Sequence, residues 1–293
     1  MAVLDPRRLG VLREVAVHGG ITHAAHALQV SPANVSQQIN RLERDAGITL
    51  LEKVGRGVQL SSAAEGLVRH SEKILAILEQ AQSEVDAAKN LTTATVRIAS
   101  FQTFAAGVLP LMVHNMSRQY PAIEIVFSQR EPDVAVSELL ARRVDLVVAD
   151  EYPGISLPPA EGIIRRELGV EAVEVHVGSP ASQPGEAIWA LEPEGTDARL
   201  FAEQACRAAG FEPRVGFESP DPSLHRKLVD FGVAAAFLPS TVASGTTDKT
   251  RVTGVFPEGL SRRLVALFRR GTEQNPALQA ALSAVEHAAH EAL

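Results

Sequence analysis

The stretch ITHAAHALQVSPANVSQQINRLER, from Ile21 to Arg44, admits few folds. Its first part reads as a short helix carrying Ala24, Ala25 and Leu28, and the two alanines let a second helix approach closely, as a helix-turn-helix requires. Gln29 and Val30 fill the turn. Ser31 is a good N-cap because its hydroxyl accepts from an orphan backbone N–H, and Pro32 suits the first helical position, where no N–H is needed. The helix opening there carries Val35, Ile39, Leu42 and Ala46 at helical spacing, an apolar stripe that must face a core. Opposite it, at roughly 100° per residue, stand Ala33, Gln37, Asn40 and Arg44, flanked by Asn34, Ser36 and Arg41. In a major groove, Gln and Asn amides grip adenine N6 and N7, and an alanine touches a thymine methyl. Any solvated helix also shows a polar face. The close-packing alanines, the Ser-Pro start and the basic turn that follows favour groove reading.

Leu9, Leu12, Val15 and Ala16 predict a preceding helix over residues 4–18, ended by Gly19 and Gly20. Beyond Gly47, extended pieces over 48–54 and 58–60 flank Gly55-Arg56-Gly57, a wing whose tip arginine suits a narrow minor groove. Residues 62–89 contain no proline and Gly66 as their one glycine. There Leu67, Ile74, Ala81 and Ala88 fall seven apart, interleaved with Ser71, Leu78 and Val85, as in a heptad seam. A helix of roughly 40 Å has little of its own domain to cover, so the seam is expected to meet a second copy, the alternative being packing on the chain's own downstream domain, since the alanines and Ser71 make the seam weak. Such a homodimer sets two reading helices over a palindromic site.

In order and spacing, AAHAL, VSPANVSQQINRLER and LLEKVGRGVQLSSAAEG resemble the N-terminal winged helix-turn-helix of LysR-type transcriptional regulators, over about residues 12–66. The resemblance implies DNA contacts at Pro32, Ala33, Asn34, Ser36 and Gln37, with Arg56 on the wing, and a dimerising linker helix with a tendency to form tetramers. Ser31, which opens the helix, and Arg41, on its flank, complete the expected DNA-contacting set. Several positions depart from the family pattern: Gly20 for serine, Gln37 for arginine, Leu51 for phenylalanine, Lys53 for arginine, Ser61 for threonine and Ala64 for glycine. Gln37 moves the expected base preference from guanine to adenine.

The 293 residues, 45% hydrophobic and 22% charged, suffice for more than one domain. Net charge is −7, yet basic and acidic residues balance up to Leu91, so the acidic excess falls in the remainder. Only the N-terminal part suits a polyanion. A single cysteine, Cys206, excludes an intramolecular disulfide framework and a cysteine-rich zinc site. The start, MAVLDPRRLG, has no long apolar run behind it and no later run approaches the ~18 apolar residues of a membrane span, so a cytoplasmic protein without membrane partners is expected.

After residue 93 strands alternate with helices. Strands are expected over 96–100, 123–127 and 144–149, helices over 104–118 and 133–142, and the alternation implies a parallel sheet with helices on its faces. Near 166–169 the chain is expected to cross into a second such unit. That unit has strands over 170–177, 187–191, 214–217 and 234–238 and helices over 197–209, capped by Thr196, and 222–231. Residues 264–268 and 276–292 return to the first. LPLM, QYPAIEI, RRVDLVVAD and VAAAFLP are similar to landmarks of the same family's effector-binding domain, itself like a periplasmic solute-binding protein, with Ala234 where glycine is typical. The expected fold is an N-terminal all-α winged helix-turn-helix (1–61), a long linker helix (62–91) and a C-terminal α/β two-lobed periplasmic-binding-protein-like domain (92–293). Lobe I would span 92–167 and 263–293, lobe II 168–262.

Open parallel sheets bind ligands beyond the carboxyl ends of their strands, where helix N-termini offer free N–H groups. That rule selects Ser100, Phe101, Gln102 and Thr103, then Ser128, Gln129 and Arg130, then Gly195 and Thr196, then Glu218 and Ser219. The resemblance implies Ser100, Ser128 and Thr196 as wall positions. Together they suit a small polar effector. Helix N-termini favour an anion, Glu218 and the acidic balance an amine, and both stay open.

Enzyme chemistry is not expected. There is no Gly-x-Ser-x-Gly elbow or phosphate loop, and Gly55-Arg56-Gly57 is no dinucleotide fingerprint. His23 with His26 and His287 with His290 lie three apart but lack a carboxylate or thiolate partner at ligand spacing, so no metal or other cofactor is expected. Cys206, beside Phe201 and Ala202, reads as an inert buried thiol. The leading expectation is a sequence-specific regulator, a homodimer or tetramer on double-stranded promoter DNA. A small molecule in its cleft would change DNA bending or RNA polymerase recruitment. The alternatives are a solute sensor whose N-terminal module mainly mediates assembly, and an enzyme using the cleft.

Overall fold

A computed structural model of the chain describes residues 4–54, 57–88, 94–157, 162–178, 183–244 and 248–293. The N-terminal unit holds α1 (Pro6–Val17), α2 (Ile21–Ala27) and α3 (Pro32–Ala46). Their ends form as local chemistry dictates: Ser31 accepts from the Asn34 N–H, and Gly47, at φ 70°, closes α3 with its N–H on the Glu43 carbonyl. Leu9, Leu12, Val15, Ala24, Ala25, Val35, Ile39 and Leu42 make one core, the two alanines fully buried in it. The wing pairs β1 (Leu51–Val54) with β2 (Gly57–Leu60), antiparallel. It starts at Leu51 rather than at residue 48, because Glu43 accepts from the backbone N–H groups of Leu50 and Leu51 and Ile48 stays exposed. The wing-tip Arg56 lies outside the described residues.

α4 (Ser62–Ala88) corrects the expected seam. Leu67 and Ile74 pack on the N-terminal core and Ser71 is buried, so these positions are taken within the chain. Further along, polar groups face the C-terminal domain: Arg269 donates to Glu79 at 2.7 Å and the Ser83 hydroxyl donates to the Gly271 carbonyl at 3.3 Å. Ile77, Leu78, Ala81 and Val85 are exposed, so a seam open to a partner begins near residue 77. The Ala88 side chain lies outside the described residues.

The C-terminal domain is one sheet in the order β4-β3-β5-β10-β6-β9-β7-β8. In lobe I, β3 (Ala94–Ser100) pairs parallel with β4 (Ile123–Gln129) and β5 (Leu146–Glu151). In lobe II, β7 (Ile188–Leu191) pairs parallel with β8 (Arg214–Glu218) and β9 (Ala235–Pro239). Between them run β6 (Ile163–Val177) and β10 (Ser261–Arg269), antiparallel to each other, to β9 and to β5 respectively. The sheet is therefore mixed, not parallel, because the strands that leave and re-enter lobe I travel in opposite senses. β6 also runs unbroken through the crossing expected at 166–169. The helices are α5 (Gln102–Gly107), α6 (Leu109–Gln119), α7 (Pro132–Leu140), α8 (Asp197–Ala208), α9 (Pro222–Asp230), α10 (Ser240–Ala243) and α11 (Pro276–Ala292). The single helix expected over 104–118 is two, broken at Val108, since Pro110 has no N–H with which to continue the ladder.

Lobe I is filled by Ile98, Phe104, Met112, Met116, Leu146, Phe268 and Val285, and lobe II by Trp189 among Phe211, Phe237 and Phe256. Cys206 is buried there, and burial, with Glu212 and Glu203 nearby, pushes its thiol up to about 12, so it carries almost no thiolate at neutral pH. Arg13 of α1, 1% exposed, ties the units together: it pairs with Glu72 of α4 and donates to the Leu140 carbonyl at the end of α7.

Gly271 marks how closely α4 and the C-terminal domain approach. It sits at φ 94°, and a Cβ there would fall 2.2 Å from the Ala76 carbonyl oxygen. Gly271→Ala is therefore expected to cost about 1–3 kcal/mol, read as a lowered thermal midpoint together with faster amide hydrogen exchange around Ala76. An unchanged midpoint and exchange rate would show that the helix and this loop are not in contact.

Candidate functional sites: a polar helix face and an interlobe cleft

Val35, Ile39 and Leu42 turn α3 inward, each at most 2% exposed. On the other side Pro32, Ala33, Asn34, Gln37, Asn40 and Arg44 are exposed, with Ser36 and Arg41 half-buried. Ser31 is exposed but its hydroxyl is engaged in the cap, 3.2 Å from the Asn34 nitrogen. Among the described residues nothing hydrogen-bonds the side-chain amides of Asn34 and Gln37, so each offers a donor and an acceptor outward. Ala33 beside them is small enough for a bulky planar surface to approach this face.

A second site opens between the lobes, a cleft of about 390 Å³. Phe101, Gln102, Thr103, Gly195 and Thr196 line it, all beyond strand carboxyl ends. Ser100 is fully buried behind this wall, its hydroxyl donating to the Phe101 carbonyl at 3.3 Å. Ser128 and Gln129 do not line the cleft, and Arg130 is exposed and paired with Glu138. Glu218 is exposed too, 3.6 Å from Arg199, and the Ser219 hydroxyl accepts from the Asp221 N–H. Ser128, Gln129 and Glu218 still lie within β4 and β8, and the chain reaches the cavity in the turns that follow, at Glu131, Pro132 and Asp133 and at Pro220 and Pro222.

The rest of the lining was not singled out from sequence: Glu131, Asp133, Asp150, Tyr152, Glu192, Asp197 and Arg262. Asp150 and Glu192 lie at the carboxyl ends of the inner strands β5 and β7, where the same rule would have found them. Arg262 is 4% exposed and fully engaged, donating to Glu171 at 2.6 and 2.8 Å, to Thr103 at 2.6 Å and to Asp150 at 3.0 Å. Burial opposes its charge, yet Tyr152, Asp150 and Glu171 hold its pKa above the ordinary value. Gln102 donates to Asp221 at 2.6 Å, linking α5 to the start of α9 across the cleft. Burial, with Asp150 and Glu131 nearby, raises Glu192 to about 8. Glu131 and Asp197 are raised for the same reasons, partial burial first and Asp150 second.

Residues 6–65 match the family of bacterial regulatory helix-turn-helix proteins of the lysR type, and residues 89–289 match the LysR substrate binding domain. The chain is 24% identical over 264 residues to the transcriptional dual regulator GltC of Bacillus subtilis (strain 168), covering 85% of each chain. Among solved structures it resembles full-length LysG of Corynebacterium glutamicum with bound effector Arg, at a TM-score of 0.62 and 21% identity over 99% of both chains. It also resembles full-length CbnR complexed with its target DNA, at a TM-score of 0.51 and 23% identity over 97% of this chain and 99% of that one. Among the described residues no helix is long and apolar enough to cross a membrane.

The cleft carries a test that needs no ligand. Folded Glu192 keeps a proton up to about pH 8, whereas its ordinary value is 4.5, so the folded state binds more protons across that window and loses stability as pH rises through it. Glu192→Gln, which cannot ionise, is expected to raise the thermal midpoint relative to the unsubstituted chain at pH 8.5 and to leave it unchanged at pH 4.5. Equal effects at both pH values would refute the assignment.

Proposed function

The chain belongs to the LysR family of transcriptional regulators, with a helix-turn-helix DNA-binding domain ahead of an effector-binding substrate domain, and on that premise we propose that it grips double-stranded promoter DNA as a homodimer or tetramer through Asn34, Ser36, Gln37 and Arg56. The observation that carries this is the division of α3 into a buried apolar stripe and an outward face of free amides around Ala33. Ser31 and Pro32 open the helix, whose N-terminal N–H groups suit a phosphate, and Arg41 flanks it for the same purpose. The exposed Ile77, Leu78, Ala81 and Val85 support a partner copy along the second half of α4. We place the domain borders after residues 61 and 91. The setting is cytoplasmic, where promoter DNA and RNA polymerase are met.

The interlobe cleft is the proposed effector site, with Phe101, Gln102 and Thr196 among its contacts; the solved complex of LysG with arginine supports an effector in a domain of this kind. α7 offers the route from cleft to DNA. Glu131 and Asp133 at its first turn line the cleft, while the Leu139 and Leu140 carbonyls at its last turn accept from Arg269 and from Arg13 of α1. A ligand that binds one setting of α7 better than another shifts the reading head by the difference in its affinities.

The test is selection of duplexes from a random pool by the full-length chain, followed by affinity measurements on the winning sequence. Asn34→Ala and Gln37→Ala are each expected to lose about 10- to 100-fold, a base pair's worth of bidentate contact at ~1–3 kcal/mol, and to relax the preference at one position. A Gln37→Ala/Arg56→Ala double variant that loses less than about tenfold would assign the N-terminal module to assembly instead.

A further inference from the structure

The cleft presents hydrogen-bond acceptors almost throughout. Glu131, Asp133, Glu192 and Asp197 line it, and no described cation forms an ion pair with any of the four. The fifth carboxylate, Asp150, is bound to Arg262, the one basic side chain of the lining, whose donors are already committed and whose plane lies 4.9 Å over the Phe101 ring. Helix N-termini elsewhere attract anions, but three of those at this cleft carry the chain's own acid, Glu131 and Asp133 at α7, Asp197 at α8 and Asp221 at α9, and the fourth, the six-residue α5, carries none. An anionic ligand would find no free cation and several carboxylates.

A separate observation comes from behind Glu192, where the cleft continues into a recess of about 30 Å³. His225 lines that recess, 2% exposed, and its Nε2 has no hydrogen-bond partner among the described residues. Burial lowers the pKa of the imidazole and keeps it neutral, and the Ser219 backbone accepts from its other nitrogen, so Nε2 is a lone pair without a donor. The recess holds one group the size of water or ammonium. Phe201 and Phe237 complete its walls with aromatic surface, which attracts cations.

We propose that the effector of this cleft is a small organic cation, a primary amine, whose ammonium end enters the recess between Glu192 and His225. The proposal rests on the cleft being the regulatory site and adds the ligand's chemical class. Its N–H donors satisfy Nε2 and the Glu192 carboxylate together, while the rest of the molecule lies against Glu131, Asp133 and Asp197. Binding then requires Glu192 ionised in a setting shared with Asp150, Glu131 and Asp197, with Arg262 and Arg199, and with Tyr152 and His225. Affinity for a cation therefore rises with pH up to about 8 and levels off, and binding below that pH releases a proton. An anion would show the reverse slope and take a proton up.

The experiment is calorimetric titration of the full-length chain with agmatine, putrescine and L-arginine, and with citrate and succinate as anionic counterparts, at pH 6.5 and 8.5 in buffers of different ionisation enthalpy. At least one cation is expected to bind saturably with proton release at pH 6.5. Glu192→Gln and His225→Phe, each checked for an intact thermal transition, are expected to weaken it about tenfold or more, the loss of a charge-assisted hydrogen bond. Binding of the dianions, failure of every cation, affinity that falls as pH rises, or indifference to both substitutions would overturn the proposal. Operator affinity in the same samples separates the two readings. A cation that binds through these residues without changing operator affinity supports the ligand class and removes the regulatory role of the cleft. An anion that binds and changes operator affinity keeps the role and overturns the class.

Discussion

A buried guanidinium at the crossing of the two lobes sets the terms for the rest of the C-terminal domain. Arg262 lies on β10, nearly out of water, and the desolvation of such an ion costs several kcal/mol. Glu171 on β6, Asp150 at the end of β5 and Thr103 on α5 offset that cost, so the ion draws together elements from both sides of the crossing. The other oxygen of Glu171 accepts from the backbone and hydroxyl of Thr241, which adds α10 to the cluster. Any one partner removed would leave a donor of this buried guanidinium unsatisfied. The same arrangement fixes the electrostatics of the cleft, because the one basic side chain lining it is used to hold the crossing together. The other charged groups facing the cavity are all acids.

How much of this was legible in the sequence depends on how far apart the interacting residues lie. α3 and α11 are governed by neighbours: a Ser or Asn cap, a proline in the first turn and a periodic stripe specify them, and α11 covers Pro276–Ala292, the expected span. The heptad pattern of α4 was equally plain, but periodicity names a stripe without naming what covers it. Leu67 and Ile74 are covered by the chain's own N-terminal core and Leu78 and Val85 are not, a distinction made by tertiary position alone. Strand direction fails for a related reason. Alternation of strand and helix describes each lobe correctly, whereas β6 and β10 reverse sense because the chain must leave lobe I and come back.

The cleft shows the same limit. The strand-end rule selected Phe101, Gln102 and Thr196, which lie past the ends of β3 and β7 and line the cleft, and also Ser128 and Glu218, which still belong to their strands, while the turns just after them supply Glu131, Asp133, Pro220 and Pro222. Which residue of a strand-end turn faces the cavity is not visible in local pattern. Arg262 had no local signal at all. Its partners lie 91, 112 and 159 residues away in sequence, and an arginine opening a strand is ordinary until those residues are brought around it.

The acids left facing the cavity give the proposed coupling a source of energy. Burial first, and then repulsion from Asp150 and Glu131, is why Glu192 keeps its proton toward pH 8. A proton relieves part of that repulsion at one carboxyl, whereas a cation seated among the acids relieves it at several. Glu131 is the N-cap residue of α7, so relief at the cleft changes the force on that helix directly. α7 is short, roughly 13 Å at 1.5 Å per residue, and its ladder leaves little room for bending. Displacement at its first turn therefore has to appear at its last, where the Leu140 carbonyl accepts from Arg13. Arg13 is itself buried and paired with Glu72 of the linker helix, so it cannot absorb the movement by swinging into solvent. On the proposed coupling that strain would pass to α1 and α4, and with them to the angle at which α3 presents Asn34 and Gln37.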